Sequence, residues 1–232
     1  MDKQAIREMI WQKMESRGVA TFPKPIQGRI PNFKGSVEAA VRLRLLSIYK
    51  SAGTIFVNPD APQLPVREMA LNDGKCVVMA TPKLREGFLV LDPVKIRNVR
   101  RAASIRGAFK HGERVDVPRL KIDLIVEGSV AVDKRGGRVG KGSGFGDLEI
   151  AILREMGVID DRTPIVTTVH SLQILNEVPM DEHDVPVDFL VTPEQTIETE
   201  HSFPKPSGII WELFAGDEFK QIPVLAELRG RK

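Results

Sequence analysis

LKIDLIVEGSVAVDKRGGRVGKGSGFGDLEIAILREMG, residues 120–157, runs from an apolar tract through a glycine-rich loop into a stretch with helical periodicity. The first part, Leu120 to Asp133, is the longest β-branched apolar run of the chain and predicts two strand segments around Gly128. The last part predicts a helix with Asp147 capping its start and Gly157 ending it. Between them glycine fills six of the twelve positions from Gly136 to Asp147, with Arg138 and Lys141 set among them. A strand that feeds a bare-backbone loop and then a helix N-terminus gathers N–H groups at one spot, which is a natural anion site. Glycine suits such a loop because it reaches positive φ and leaves no Cβ in the way of a phosphate. The plainer alternative is a glycine-rich hairpin with exposed basic residues.

Outward from this stretch the chain alternates helices with strands. Helices are predicted over residues 2–16, where Ile6, Met9, Ile10 and Met14 recur at helical spacing, and over 36–49, 66–74 and the basic stretch 93–105. Strands are predicted at 54–58, 76–80, 88–92, 164–169 and 187–192. These strands lack clean polar alternation, so they suit a sheet covered on both faces. The expected fold class is α/β, a three-layer α/β/α domain with a mostly parallel central sheet, spanning 1–232 as one unit. In such sheets ligands gather beyond the carboxyl ends of the strands.

Composition sets the outer limits. With 34 lysines and arginines against 31 acidic residues, the charge excess is only +3 and does not by itself argue for nucleic acid. Cys76 is the only cysteine, so an intramolecular disulfide and a cysteine metal cluster are excluded, and it reads as an inert core residue. The opening MDKQAIREMIWQKMESR is of mixed charge and lacks the apolar centre of a signal peptide, and no apolar run is long enough to span a bilayer. The expectation is a cytoplasmic protein without membrane contact. No His/Cys spacing suggests zinc, and His170 reads as a hydrogen-bonded structural residue.

Two well-known phosphate motifs do not fit the loop. A Walker-type P-loop needs glycine where Arg135 stands and serine or threonine where Gly142 stands. The G-x-G-x-x-G pattern fails because Phe145 or Asp147 occupies its last position. The segment AVDKRGGRVGKGSGFGD instead resembles the signature of the 5-formyltetrahydrofolate cyclo-ligase family, roughly F-D-x-x-G-x-R-L-G-x-G-x-G-Y-Y-D. The later segment TTVHSLQILNEVPMDEHDVPVDFLVTP and the N-terminal pair Lys3 and Arg7 match the family in the same order. Wording such as GRIPNFKGSVEAA, NPDAPQLPVRE and FPKPSGIIWEL is similar to the family's methenyltetrahydrofolate synthetase domain-containing branch.

The resemblance implies an enzyme that uses ATP and Mg²⁺ to cyclise 5-formyltetrahydrofolate to 5,10-methenyltetrahydrofolate, releasing ADP and phosphate. Such chemistry needs positioning and neutralisation of the transferring phosphoryl group rather than an enzyme nucleophile. Carried onto this chain, it implies ATP contacts from Lys3, Arg7, Arg138, Gly140, Lys141, Gly142, Ser143 and Gly144, with Arg138 and Lys141 as catalytic cations. It implies metal contacts from Asp147 and Asp184, and substrate contacts from Val57, Gln63 and Phe145. Two departures touch the folate half. Phe145 and Gly146 stand where the family has paired tyrosines, and Pro62 and Gln63 stand near the family's pterin-binding glutamate.

A rival reading starts from KIRNVRRAASIRGAFKHGER, residues 95–114, which carries seven lysines and arginines against Glu113. Such a local field suits RNA backbone, although Phe109 is its only aromatic. The alternative function is therefore a non-cyclising nucleotide- or RNA-binding relative that keeps the fold and the phosphate site.

Overall fold

The computed structural model describes residues 1–214 and 222–230. The expected domain span of 1–232 therefore includes 215–221 and 231–232, which lie outside the described residues. In chain order the helices are α1 (Lys3–Ser16), α2 (Ser36–Leu45), α3 (Ser47–Ser51), α4 (Leu64–Asn72), α5 (Val99–Ala102), α6 (Ile105–His111), α7 (Phe145–Glu155) and α8 (Pro223–Arg229). The strands are β1 (Thr54–Val57), β2 (Cys76–Ala80), β3 (Phe88–Leu91), β4 (Glu113–Val115), β5 (Leu124–Glu127), β6 (Ala131–Asp133), β7 (Arg138–Val139), β8 (Ile165–Thr168), β9 (Ile174–Leu175), β10 (Phe189–Val191) and β11 (Thr196–Glu198).

Among the described residues an eight-stranded sheet has the order β11-β10-β8-β5-β1-β2-β3-β4. Its five central strands pair in parallel, from β10 through β8, β5 and β1 to β2. The edges are antiparallel: β3 and β4 on one side, β11 on the other. Alternate side chains of each strand enter different cores, as the pleat requires. Ile55 and Val57 of β1 pack with α2 and α4 residues such as Leu43 and Ala70, whereas Phe56 faces the layer holding Leu148 of α7 and Leu225 of α8. This is the expected three-layer α/β/α architecture with a mostly parallel sheet. No helix of the described residues is long and apolar enough to cross a membrane.

Several boundaries differ from the expectation, each for a local reason. The helix expected over 36–49 breaks at Leu46, whose backbone is extended, so α2 and α3 are separate. The basic helix expected over 93–105 is instead α5 and α6, divided at Ser104, whose Oγ caps α6 by accepting from Gly107 N. The turn is tight because a Cβ on Gly107 would lie 1.7 Å from the Arg101 carbonyl oxygen. The tract around Gly128 does give two strands, but they part company: β5 stays in the central sheet and β6 joins a small sheet of order β7-β6-β9. That small sheet and α1 share a third apolar cluster built on Ile6, Ile10, Met14, Ala131 and Val139.

Candidate active site

The glycine-rich segment divides into a hairpin and a loop. The buried Asp133 folds the hairpin, its Oδ1 accepting from Arg135 N at 2.9 Å and Gly137 N at 2.8 Å. β6 and β7 then pair antiparallel, so the first half is the hairpin of the plainer reading, except that its Arg138 is buried rather than exposed. The second half, Gly140 to Gly144, is the loop proper and leads into α7. Gly142 and Gly144 take φ of +103° and +68°, conformations that other residues adopt only with strain. Gly142 also lies against the Arg7 guanidinium, which a Cβ would approach to 3.2 Å. At its far end α7 stops as the sequence predicts, with Gly157 N bonding Arg154 O and Val158 N bonding Leu153 O.

A cleft of about 270 Å³ opens at this loop, beyond the carboxyl ends of β1 and β5. Lys3, Arg7, Gly140, Lys141, Gly142, Ser143, Gly144, Phe145, Asp147 and Asp184 all line it, as the resemblance implies. Lys141 Nζ meets Asp60 Oδ1 at 2.8 Å and stays partly exposed. Arg7 Nε donates to Gly140 O at 2.7 Å, which fixes α1 against the loop. Lys3 Nζ bridges Asp181, at 2.6 Å, and Asp184. Burial alone would lower the Lys3 pKa, but its bonds to these two carboxylates hold it above the ordinary lysine value. A larger hollow of about 810 Å³ lies at the opposite, amino end of β5 and β8, lined by residues 118–121 and 157–160.

Arg138 lies in the cleft wall but is almost fully buried, at 4% exposure. Its Nε donates to Val185 O at 3.1 Å and its Nη1 to Gly128 O at 3.0 Å, while Nη2 is bonded to Asp147. Although burial opposes the charge, Asp147 and Glu127 hold the guanidinium firmly protonated. Asp147 does not cap α7: Gly144 is the N-cap residue and no side chain bonds there. Asp147 Oδ1 is held instead by Arg138 and by Val185 N at 2.9 Å, because a buried guanidinium needs a carboxylate more than a helix end needs a cap. Its Oδ2 has no hydrogen-bond partner among the described residues.

Two substrate positions sit elsewhere than implied. Val57 is fully buried in the core between the sheet and α4, and its neighbour Asn58 is the residue that lines the cleft. Gln63 is fully buried beneath Gly128, with its Nε2 donating to Thr168 Oγ1 at 3.1 Å and its Oε1 unpartnered. Phe145 does line the cleft. His170 is structural as expected, its Nδ1 accepting from Leu172 N at 3.1 Å. Burial pushes the Cys76 thiol up to about 11. No residue of 95–114 lines the cleft; Arg97, Arg100, Arg101 and Arg106 are exposed on the surface.

Sequence reasoning missed the acids at the floor of the cleft. Glu127, the last residue of β5, is completely buried, and neither carboxylate oxygen has a hydrogen-bond partner among the described residues. Arg138 Nη1 is 3.4 Å from its Oε2. Burial outweighs this attraction and pushes the Glu127 carboxyl up to about 8. Glu149 of α7 is also buried, and its Oε2 accepts from Asn58 Nδ2 at 3.1 Å. Asn58 Oδ1 in turn accepts from Gly128 N at 2.6 Å. The available signal was a glutamate closing the apolar run LIVE just before a glycine.

This fold places a glycine loop, cations and carboxylates together at the carboxyl ends of a parallel sheet, an arrangement whose chemistry suits an anionic ligand. The model of the 5-formyltetrahydrofolate cyclo-ligase family matches residues 1–193, and the chain belongs to that family. It is 41% identical over 239 residues to the methenyltetrahydrofolate synthase domain-containing protein of Mus musculus, covering 100% of this chain and 64% of that protein. The Homo sapiens protein of the same name is 38% identical over 239 residues, covering 100% of this chain and 62% of its own length. The chain thus spans somewhat less than two thirds of these curated relatives. Its fold also matches the NMR structure of the Aquifex aeolicus 5,10-methenyltetrahydrofolate synthetase, with a TM-score of 0.55, 20% identity and coverage of 85% of this chain and 93% of that one.

Proposed function

We propose that this chain is an ATP- and Mg²⁺-dependent cyclo-ligase that converts 5-formyltetrahydrofolate to 5,10-methenyltetrahydrofolate, with ADP and phosphate as the other products. The observation that carries the reading is the convergence of Lys141, Arg7, Lys3 and the bare loop 140–144 on one cleft with Asp147 and Asp184. The first-turn N–H groups of α7 lack intrahelical acceptors and add their partial positive charge to that loop. In this reading Lys141, the exposed cation, contacts the transferring phosphoryl group, and Arg7 and Lys3 hold the rest of the phosphate chain. Lys3 would exchange Asp181 or Asp184 for phosphate oxygen, freeing a carboxylate.

Arg138 acts by position: it holds Asp147, Gly128 and Val185 in place and does not reach into the cleft. A bound magnesium ion would neutralise charge on the phosphate oxygens. Asp147 Oδ2 and Asp184 fit it, being carboxylate oxygens, the ligands this hard cation prefers. Phosphoryl transfer to the formyl oxygen, with ADP leaving, needs the two groups held in line, and attack of the substrate's own N10 on the formyl carbon then closes the ring as phosphate departs.

Purified protein given Mg-ATP and 5-formyltetrahydrofolate should develop the near-ultraviolet absorbance of the methenyl product, and Lys141→Ala should abolish it. Binding of Mg-ATP without product would instead favour the non-cyclising nucleotide-binding reading, for which Gly146 and Gln63, the two departures in the folate half, are the supporting observation.

A further inference from the structure

We propose that Arg67 is a positioning residue of the cleft: from behind the wall it holds residues 58–60, and through Asp60 it fixes where the Lys141 ammonium stands. The proposal rests on the reading of Lys141 as the cation that meets the transferring phosphoryl group. Arg67 lies on α4, does not line the cleft and is only 2% exposed. Its Nη1 donates to two backbone oxygens of the wall, Asn58 O and, at 3.1 Å, Asp60 O. Its Nε donates to Ala103 O at 2.8 Å, at the end of α5. The guanidinium is thus anchored in the helical layer on one side and grips the cleft wall with the other.

The energetics separate this role from plain core filling. No carboxylate pairs with Arg67 among the described residues; Asp60 and Glu68 attract it only through space, and burial outweighs them, bringing its pKa down to about 10. A cation buried without an ion pair is costly, and an apolar side chain of similar volume usually packs more stably in its place. What an apolar side chain cannot do is hold two carbonyl oxygens that flank Pro59, which has no N–H of its own to tie the turn down. The other face of that turn carries the working groups. Asp60 Oδ1 accepts from Lys141 Nζ at 2.8 Å, and Asn58 spans Glu149 and Gly128 N. Arg67 is therefore linked to Lys141 through the Asp60 backbone and then its carboxylate. Lysine at 67 would keep the charge, but its single nitrogen cannot serve both Ala103 and the wall.

Two measurements on the full chain test this. Without nucleotide, acetylation of Lys141 by dilute acetic anhydride, read by mass spectrometry against the exposed Lys24, reports whether the Lys141 ion pair is intact. Arg67→Lys should speed Lys141 labelling by about threefold, toward the rate in Asp60→Asn, and leave Lys24 unchanged. Titration calorimetry with Mg-ATP then completes a double-mutant cycle. Arg67→Lys should weaken binding by about 5- to 30-fold when Lys141 is present, and by less than about twofold when it is already alanine. An arginine that only fills the core would lower the melting temperature and move neither the labelling rate nor this coupling. Arg67→Met, unbranched and uncharged, carries the same expectations should the lysine variant fail to fold. Unchanged Lys141 labelling, or a loss of Mg-ATP affinity that is equal with and without Lys141, would overturn the assignment. Faster labelling in a protein that binds no Mg-ATP would uphold the hold of Arg67 on Lys141 and remove the nucleotide reading. Turnover of 5-formyltetrahydrofolate by a wild type whose Lys141 labelling is insensitive to Arg67 would do the reverse.

Discussion

Replacing Glu127 by glutamine should stabilise the protein, and more so as pH rises. The side chain is fully buried and its carboxyl is pushed up to about 8 from an ordinary value of 4.5. Folded protein therefore keeps a proton that the unfolded chain has already released. Stability falls as pH rises through this window, at about 1.4 kcal/mol per pH unit, and levels off above the folded value. Between pH 5 and pH 8 the wild type should lose about 4 kcal/mol from this one group. Glutamine has nearly the same shape and no charge, and it can still turn its oxygen toward Arg138. Arg138 keeps Asp147 as its ion-pair partner and both carbonyl acceptors. Urea unfolding at pH 5, 6.5 and 8 should give a variant-minus-wild-type difference near zero at pH 5 and of a few kcal/mol at pH 8, with equal m-values. Titrating groups remote from Glu127 are common to both proteins and cancel, and Glu149, whose pKa Glu127 helps to raise, moves toward its ordinary value in the variant. A difference that stays flat across the three pH values would show that the Glu127 carboxyl is solvated and ordinary, and the argument from burial would fail.

Arg138→Met should destabilise the fold by about 3–5 kcal/mol in the same unfolding assay, since it strands Asp147 beside Glu127 without a cation. Lys141→Ala should change stability by less than about 1 kcal/mol, because its pair with Asp60 is partly exposed, yet should weaken Mg-ATP binding clearly in a titration. Replacing Arg97, Arg100, Arg101 and Arg106 together by glutamine should leave Mg-ATP affinity within about twofold, as none of them lines the cleft. Any RNA affinity should be lost with them and should fall steeply with salt. Gly107→Ala should cost more than about 3 kcal/mol or block folding, because the added Cβ meets a carbonyl oxygen of the backbone rather than a movable side chain.

What could be read from the sequence was whatever depends on neighbours along the chain. The parallel core of the sheet, α1 and the glycine loop 140–144 follow from short-range pattern, the choice of Lys3 and Arg7 on α1 follows from the family resemblance, and the structure places that pair beside the loop. The floor of the cleft does not follow from such patterns. Glu127 and Glu149 owe their character to burial, which is created when Asn58, Gly128 and α7 meet across chain separations of tens of residues. A carboxyl in LIVEG looks like a solvated strand end until the sheet closes over it. The same physics reversed the reading of Asp147. Capping preference is worth about 1 kcal/mol, whereas leaving a buried guanidinium without a carboxylate costs several. Arg138 opens β7 of the hairpin, where the family resemblance implied a phosphate ligand, and burial makes it the piece that sets where Asp147 and Glu127 stand. The family resemblance therefore points to the residues that line the cleft, and the competition among buried charges at its floor is decided only on folding.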